Sequence, residues 1–81
     1  MKHHSIIVRA EWDDEAGVWV ASSTDVCGLA VEADNFEDLA AKVEAALEDL
    51  MELNGFDSDL REIPVHIMGE SMFKVMTPVA A

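Results

Sequence analysis

The stretch NFEDLAAKVEAALEDLMELNG, residues 35–55, decides the fold, because it predicts the only long helix in the chain. Apolar residues recur in it at steps of three and four, which places them on one face of a helix with about 3.6 residues per turn. Asn35 or Asp34 can cap the first turn, and Gly55 can end the helix in a left-handed conformation. The apolar face consists of Phe36, Leu39, Val43, Leu47 and Leu50, widened by Ala40, Ala46 and Met51.

Three strands are predicted before this helix. Residues 5–13 alternate between an apolar set that faces the helix and a mostly charged set that faces away. The short loop at residues 14–17 makes the second strand, residues 18–23, antiparallel to the first. The second strand is apolar on both sides, so its pattern leaves open which side meets the helix. The third strand spans residues 29–33. In the first strand, Ile6, Val8, Ala10 and Trp12 face the helix, and Ile7, Arg9, Glu11 and Asp13 face away.

A fourth strand is predicted after the helix, at residues 63–68, with Pro64 near its start or on a sheet edge. We expect a turn at residues 69–71, and residues 72–79 fit an extended segment or a helical turn, with the extended form favoured. The order β-β-β-α-β predicts an α+β fold, an antiparallel sheet with one helix packed on one face. A single domain of residues 1–81 is expected, with its core at 5–69 and a C-terminal tail at 70–81. The second sheet face is left uncovered.

Composition restricts the function. The chain has 81 residues, a length at which only about 60% of the unfolded surface is buried, so a second copy would help stability. Five Lys and Arg against seventeen Asp and Glu give a net charge of -12, which repels phosphate and attracts basic proteins. We therefore expect no direct nucleic-acid binding. One cysteine permits no internal disulfide, and no signal peptide or bilayer-spanning segment is recognisable, so we predict a cytoplasmic protein.

No cluster of residues with catalytic or metal-binding spacing is recognisable. His3 and His4 lack partners at zinc spacing, and His66 is a lone histidine within a strand. Cys27 as a nucleophile would need a neighbouring base, whereas the residues near it in sequence are acidic. Asp13, Asp14 and Glu15 are consecutive in a turn, so their carboxylates diverge and cannot meet at one metal ion. The sequence predicts no catalytic residue, no metal, no cofactor and no enzyme.

Candidate contacts with a partner come from three regions. Acidic residues gather at the end of the first strand and in the following turn, where they suit a basic protein. Trp19 is expected in the core, but an exposed tryptophan would be an interface anchor. Methionines crowd the second half of the chain, and methionine suits adaptable contact surfaces. The predicted partner-contacting residues are Glu11, Asp13, Asp14, Glu15, Trp19, Met68, Met72 and Phe73.

The stretch WVASSTDVCGLAVEADNFEDL, residues 19–39, resembles the HicB-type antitoxin domain and, more closely, its small stand-alone DUF1902 relatives. The resemblance rests on Trp19 in the second strand, on the turn and strand at residues 23–33 with Gly28 and Glu32, and on the helix entry at residues 34–39. It covers roughly residues 6–67. Each feature is common by itself, and their joint spacing gives the motif its specificity.

The resemblance implies a partial RNase H-like fold, self-association, first of all as a homodimer, and binding of a small basic toxin ribonuclease that the antitoxin neutralises. Family members of the antitoxin type often carry a DNA-binding segment, whereas only thirteen residues follow Met68 here, with Lys74 the sole basic one. Such nucleases also place a metal-binding carboxylate mid-strand, where this chain has Val8-Arg9-Ala10. The alternatives are an orphan self-associating module without a toxin and, third, a degenerate metal-dependent nuclease.

Overall fold

The computed structural model describes residues 3–56 and 58–79, which form four strands and one helix. The elements are β1 (Ile6–Asp13), β2 (Val18–Ser22), β3 (Ala30–Ala33), α1 (Phe36–Asn54) and β4 (Val65–Glu70). Their order, β-β-β-α-β, confirms the predicted α+β fold class. No helix in the described ranges combines the length and apolar character that crossing a membrane requires.

The four strands lie side by side in the order β3-β2-β1-β4. β1 pairs antiparallel with β2, and β2 antiparallel with β3, as the short connections predict. β4 instead pairs parallel with β1, so the complete sheet is mixed. The parallel pairing follows from the connection, because α1 returns the chain to the end of the sheet where β1 begins. There the Ile6 N–H donates to the Pro64 carbonyl at 3.0 Å.

The core lies between α1 and one face of the sheet. Leu39, Val43 and Leu47 of the helix are buried, as the helical period predicts. The alternate residues of β1 that were expected to face the helix, from Ile6 to Ala10, are fully buried. No buried polar or charged residue occurs among the described ones. The buried residues are Ile6, Val8, Ala10, Ala21, Val26, Leu29, Ala33, Leu39, Val43 and Leu47.

Both predicted ends of the helix are confirmed. The Asn35 side-chain oxygen accepts a hydrogen bond from the Asp38 backbone N–H at 2.7 Å, which satisfies a donor that the first helical turn leaves free. Gly55 ends the helix with φ 65°, in the left-handed region, and its N–H donates to the Met51 carbonyl. The helix boundaries are thus fixed by local chemistry as well as by packing.

An aromatic cluster closes one end of the core and settles the orientation of β2. Trp12 and Trp19 are paired across β1 and β2, with ring centroids 5.6 Å apart in an edge-on arrangement. Trp19 also meets Phe36, the first residue of α1, edge-on at 5.4 Å. Trp19 and the buried Ala21 therefore face the helix, and Val18 and Val20 lie on the other side of the sheet.

The predicted turn at residues 69–71 was wrong, because β4 continues through Gly69 and Glu70. These two residues pair with Ala10 and Glu11 of β1, and this pairing extends the strand. Gly69 has no side chain, so the Phe36 ring can approach its backbone closely. A Cβ added at Gly69 would lie only 2.7 Å from Cε2 of the Phe36 ring. Residues 71–79 form no regular secondary structure and are exposed throughout.

We expect Gly69→Ala to lower the free energy of unfolding by about 1–2 kcal/mol, because the new methyl group overpacks against Phe36. In a Phe36→Leu background the same change should be neutral or slightly stabilising, since alanine is favoured over glycine in a strand. Urea denaturation of the unaltered protein, the two single variants and the double variant measures this coupling. Equal costs of Gly69→Ala in both backgrounds would contradict the contact.

Candidate protein-interaction site

The sheet face turned away from α1, called the reverse face here, carries no other element of the described chain. Residues paired across neighbouring strands lie on the same face, so the register identifies its members. Arg9 of β1, for example, pairs with Ser22 on one side and Met68 on the other. The predicted uncovered face is thus confirmed, and it contains Ile7, Arg9, Glu11, Val18, Val20, Ala30, Glu32, His66, Met68 and Glu70.

Three carboxylates of the reverse face lie in one row across the sheet. Glu11 in β1 pairs with Glu70 in β4 and with Val20 in β2, and Val20 pairs in turn with Glu32 in β3. Because adjacent strands are about 4.8 Å apart, Glu11 and Glu70 are direct neighbours. Like charges on neighbouring strands oppose folding slightly, and a positively charged group bound over these three carboxylates would relieve that repulsion. We call Glu11, Glu32 and Glu70 the acidic row.

Apolar side chains accompany the acidic row on the same face. Val20 lies between Glu11 and Glu32 and is 36% exposed, and Met68 in the next row is 50% exposed. Ile7 is also exposed on this face, further along β1, with Arg9 between it and Glu11. The reverse face thus combines exposed apolar groups with the three carboxylates of the acidic row and one arginine, Arg9, and its excess of negative charge suits a protein partner of the opposite charge.

The hairpin between β1 and β2 uses two of the predicted partner-contacting carboxylates internally. The Asp13 Oδ1 accepts hydrogen bonds from the backbone N–H groups of Glu15 and Ala16, at 3.1 and 3.2 Å. The Asp14 Oδ1 accepts the Trp12 indole N–H at 2.8 Å. These carboxylates hold the turn in shape and keep their charge at the surface, whereas Glu11 and Glu15 are exposed without such a role.

The remaining predicted contacts do not lie in one place. Trp19 is half-buried on the helix side, in the aromatic cluster, and is thus separated from the acidic row by the sheet itself. Met68 lies on the reverse face. Met72 and Phe73 follow β4 in the exposed segment and line a shallow pocket with Trp12 and Asp14. The structure therefore divides the predicted interface residues between the reverse face, the core and the C-terminal segment.

No three His, Cys, Asp or Glu side chains within residues 3–56 and 58–79 come close enough together to hold a metal ion. Cys27 is exposed, and the neighbouring Asn54 side chain donates to its backbone carbonyl, not to its thiol. His3 stacks on Phe56, with ring centroids 4.5 Å apart. The His3–Phe56 contact holds residue 3 against the segment that follows the helix. The Asn54–Cys27 hydrogen bond holds the helix end against the loop before β3.

Sequence reasoning missed Glu70 and Glu32 as members of the acidic row. Glu70 was assigned to a turn, because a glycine followed by polar residues is typical of one. Its place beside Glu11 depends on the parallel register of β4, for which the sequence gives no local signal. The sequence placed Glu32 on the uncovered face. Its alignment with Glu11 could not be predicted, because it depends on the register of β1 with β2 and of β2 with β3.

Comparison with known proteins identifies the family. The sequence profile of a family described as a domain of unknown function, DUF1902, matches residues 5–77. The chain belongs to the DUF1902 family. This confirms the resemblance, and DUF1902 is a HicB-like family of small domains.

One solved structure shows that the DUF1902 chain shares its fold with a known protein. The hypothetical protein TTHA1013 from the extremely thermophilic bacterium Thermus thermophilus is 44% identical and has a TM-score of 0.66, with 90% of this chain and 99% of that chain covered. No curated protein matches the chain. The comparisons establish family and fold.

We expect Asp13→Ala in this DUF1902 protein to cost about 1 kcal/mol of stability, because two backbone N–H groups in the hairpin lose their acceptor. Glu15→Ala is the matched control, since it removes a carboxylate from the same turn without removing these hydrogen bonds, and should change stability by less than about 0.5 kcal/mol. Thermal denaturation followed by circular dichroism measures both. Equal effects of the two substitutions would show that the loss of a charge, and not the loss of the hydrogen bonds in the turn, lowers the stability.

Proposed function

We propose that this DUF1902 protein is a non-catalytic, HicB-like interaction module that binds a small basic protein, a toxin-like ribonuclease, and neutralises it. The reverse face and the adjoining hairpin form the binding surface. The observation that carries the proposal is the acidic row, Glu11, Glu32 and Glu70, on a sheet face that no other described element covers.

Charge supports a basic partner. The net charge of -12 would attract a basic protein and raise its association rate at low ionic strength. A ribonuclease needs a basic surface to hold the phosphates of RNA. A protein surface with carboxylates in a row can occupy that same basic surface, and it thereby excludes RNA.

The apolar groups beside the acidic row support a stable complex and not only a transient encounter. Exposed ion pairs contribute only about 0.2–1 kcal/mol each, so charge alone gives weak binding. Val20, Met68 and Ile7 are apolar contacts that a partner can bury, and the burial adds about 25 cal/mol per Å² of apolar surface. The hairpin, held in shape by Asp13 and Asp14, borders this surface.

The second candidate function is an orphan module that associates only with copies of itself. The observation that favours it is the exposed apolar segment after β4, in which Met72, Phe73 and Met76 are 74%, 81% and 93% exposed. Apolar side chains at this density are unusual on the surface of a monomer. A gene neighbourhood without a small basic protein would favour this candidate over the toxin-binding one.

The test is association of the purified protein with the small basic protein encoded beside its gene. We expect a complex that weakens when ionic strength rises from about 0.1 M to about 1 M, since the Debye length falls from about 10 Å to about 3 Å. Charge reversal by Glu11→Arg with Glu70→Arg should raise the Kd at least about tenfold at the lower salt concentration. Isothermal titration calorimetry measures the Kd values.

The matched control is Asp49→Arg with Glu52→Arg, which changes the net charge equally on the exposed side of α1. This control should weaken binding less than the pair on the reverse face, because its charges lie on the opposite side of the molecule. Equal losses would show that only net charge matters. Absence of any complex with a small basic neighbour would refute the toxin-binding proposal.

A further inference from the structure

A groove runs between α1 and β4 on the helix side of the sheet, with a volume of about 660 Å³. It exists because α1 packs over β2 and β3, so the helix leaves the edge strand β4 partly uncovered. Its floor is apolar, with Val65 39% exposed and Ile63 and Ile67 half-buried. Its walls include Val43, Leu47 and Met51 of α1.

The C-terminal segment, residues 71–79, is the apolar surface that matches this groove in chemistry. Its sequence is SMFKVMTPV, and every residue in it is exposed. It leaves β4 at the end of the sheet near Trp12 and Asp14, away from the groove mouth at Arg61 and Ile63. With this segment extended, the molecule is 62 Å long but only 23 Å and 18 Å across.

We propose that the C-terminal segment of a second copy occupies the groove, as a fifth strand beside β4, and that two copies exchange these segments reciprocally. The outer edge of β4 offers unpaired backbone N–H and C=O groups to an added strand. This inference deepens the self-association candidate and does not depend on the toxin-binding surface, because it uses the sheet edge and the helix side.

Length and side-chain alternation support the fit. β4 has six residues, and residues 72–77 supply six before Pro78, which cannot donate a backbone hydrogen bond to a ladder. In an added strand, Phe73 and Val75 would lie on one face and Met72, Lys74 and Met76 on the other. Placing Phe73 and Val75 in the groove buries a large aromatic and a branched aliphatic side chain against its apolar floor.

Charge explains why this segment, of all surfaces, can approach a second copy. Two chains of net charge -12 repel each other, and Glu44, Glu48 and Glu62 line the groove against a single base, Arg61. Residues 71–79 contain one lysine and no carboxylate, so the repulsion is smallest there. With Phe73 in the groove, Lys74 lies on the reverse face, where β4 ends in Glu70.

Turn chemistry disfavours the same chain's own segment as the occupant. Folding back beside β4 would require a tight hairpin at residues 70–72, and the favoured two-residue turns need positive φ at one or both central residues. Asparagine and glycine adopt such turns readily, whereas Glu70, Ser71 and Met72 do not. The C-terminal segment of a second copy needs no such turn to reach the edge of β4.

The test uses full-length chains and light scattering for mass. We expect the unaltered protein to be a dimer, and Phe73→Ser with Val75→Ser to raise the dimer dissociation constant about a hundredfold or more. Met72→Ser with Met76→Ser is the matched control and should remain dimeric. A monomeric unaltered protein, or equal loss in both double variants, would overturn the proposal.

Crosslinking tests where the segment lies. In a Cys27→Ser background each chain can carry one introduced cysteine, so Ile67→Cys in one chain can form a disulfide with Val75→Cys in another only between copies. We expect this crosslink between chains of different mass, and none between Val75→Cys and Asp49→Cys. A dimer without the first crosslink would overturn tail exchange while leaving self-association intact. Binding of the basic partner is measured separately on the Phe73→Ser, Val75→Ser variant. This measurement distinguishes failure of the segment exchange from failure of the proposed toxin binding.

Discussion

The structure depends on the single core that one face of the sheet forms with the apolar face of one helix. Ile6, Val8 and Ala10 of β1 are fully buried on the helix side of the sheet, and the helix supplies Leu39, Val43 and Leu47 to the same core. A helix of 19 residues covers one face of a small sheet and no more. The second face must therefore tolerate water, and alternating residues of β1 supply charged groups there. A core of this size leaves a small stability margin, to which a bound partner adds.

The off-centre position of α1 determines where the remaining apolar surface is. The helix lies over β2 and β3, and its first residue, Phe36, reaches Trp19 and the backbone of Gly69. This aromatic contact closes the core at the hairpin end. At the other end nothing comparable among the described residues fills the space between α1 and β4, so the groove remains open. The core is therefore closed at one end and open at the other, because a single helix over β2 and β3 does not cover all four strands.

Local chemistry made much of this fold predictable from sequence. The helical period, the Asn35 cap and the left-handed Gly55 act within a few residues, and the alternation of apolar and charged residues in β1 was enough to identify its buried side. Long-range choices were not predictable. β2 is apolar on both faces, so only contact with Phe36 decides that Trp19 faces inward. Gly69 and Glu70 looked like a turn because their strand pairing depends on β1, which lies at the other end of the chain. The acidic row was missed for the same reason, since its members come from three strands.

The two proposed surfaces differ in the physics of binding and are coupled through β4. Salt screens the attraction between the acidic row and a basic partner. It also screens the repulsion between two chains of net charge -12, so apolar self-association should tighten under the same conditions. A fifth strand beside β4 would widen the reverse face and bring Lys74 near Glu70. That lysine would offset one carboxylate of the row and leave Glu11 and Glu32 as its main charges. Exchange of the C-terminal segments would thus enlarge the surface offered to a basic partner while reducing its charge density.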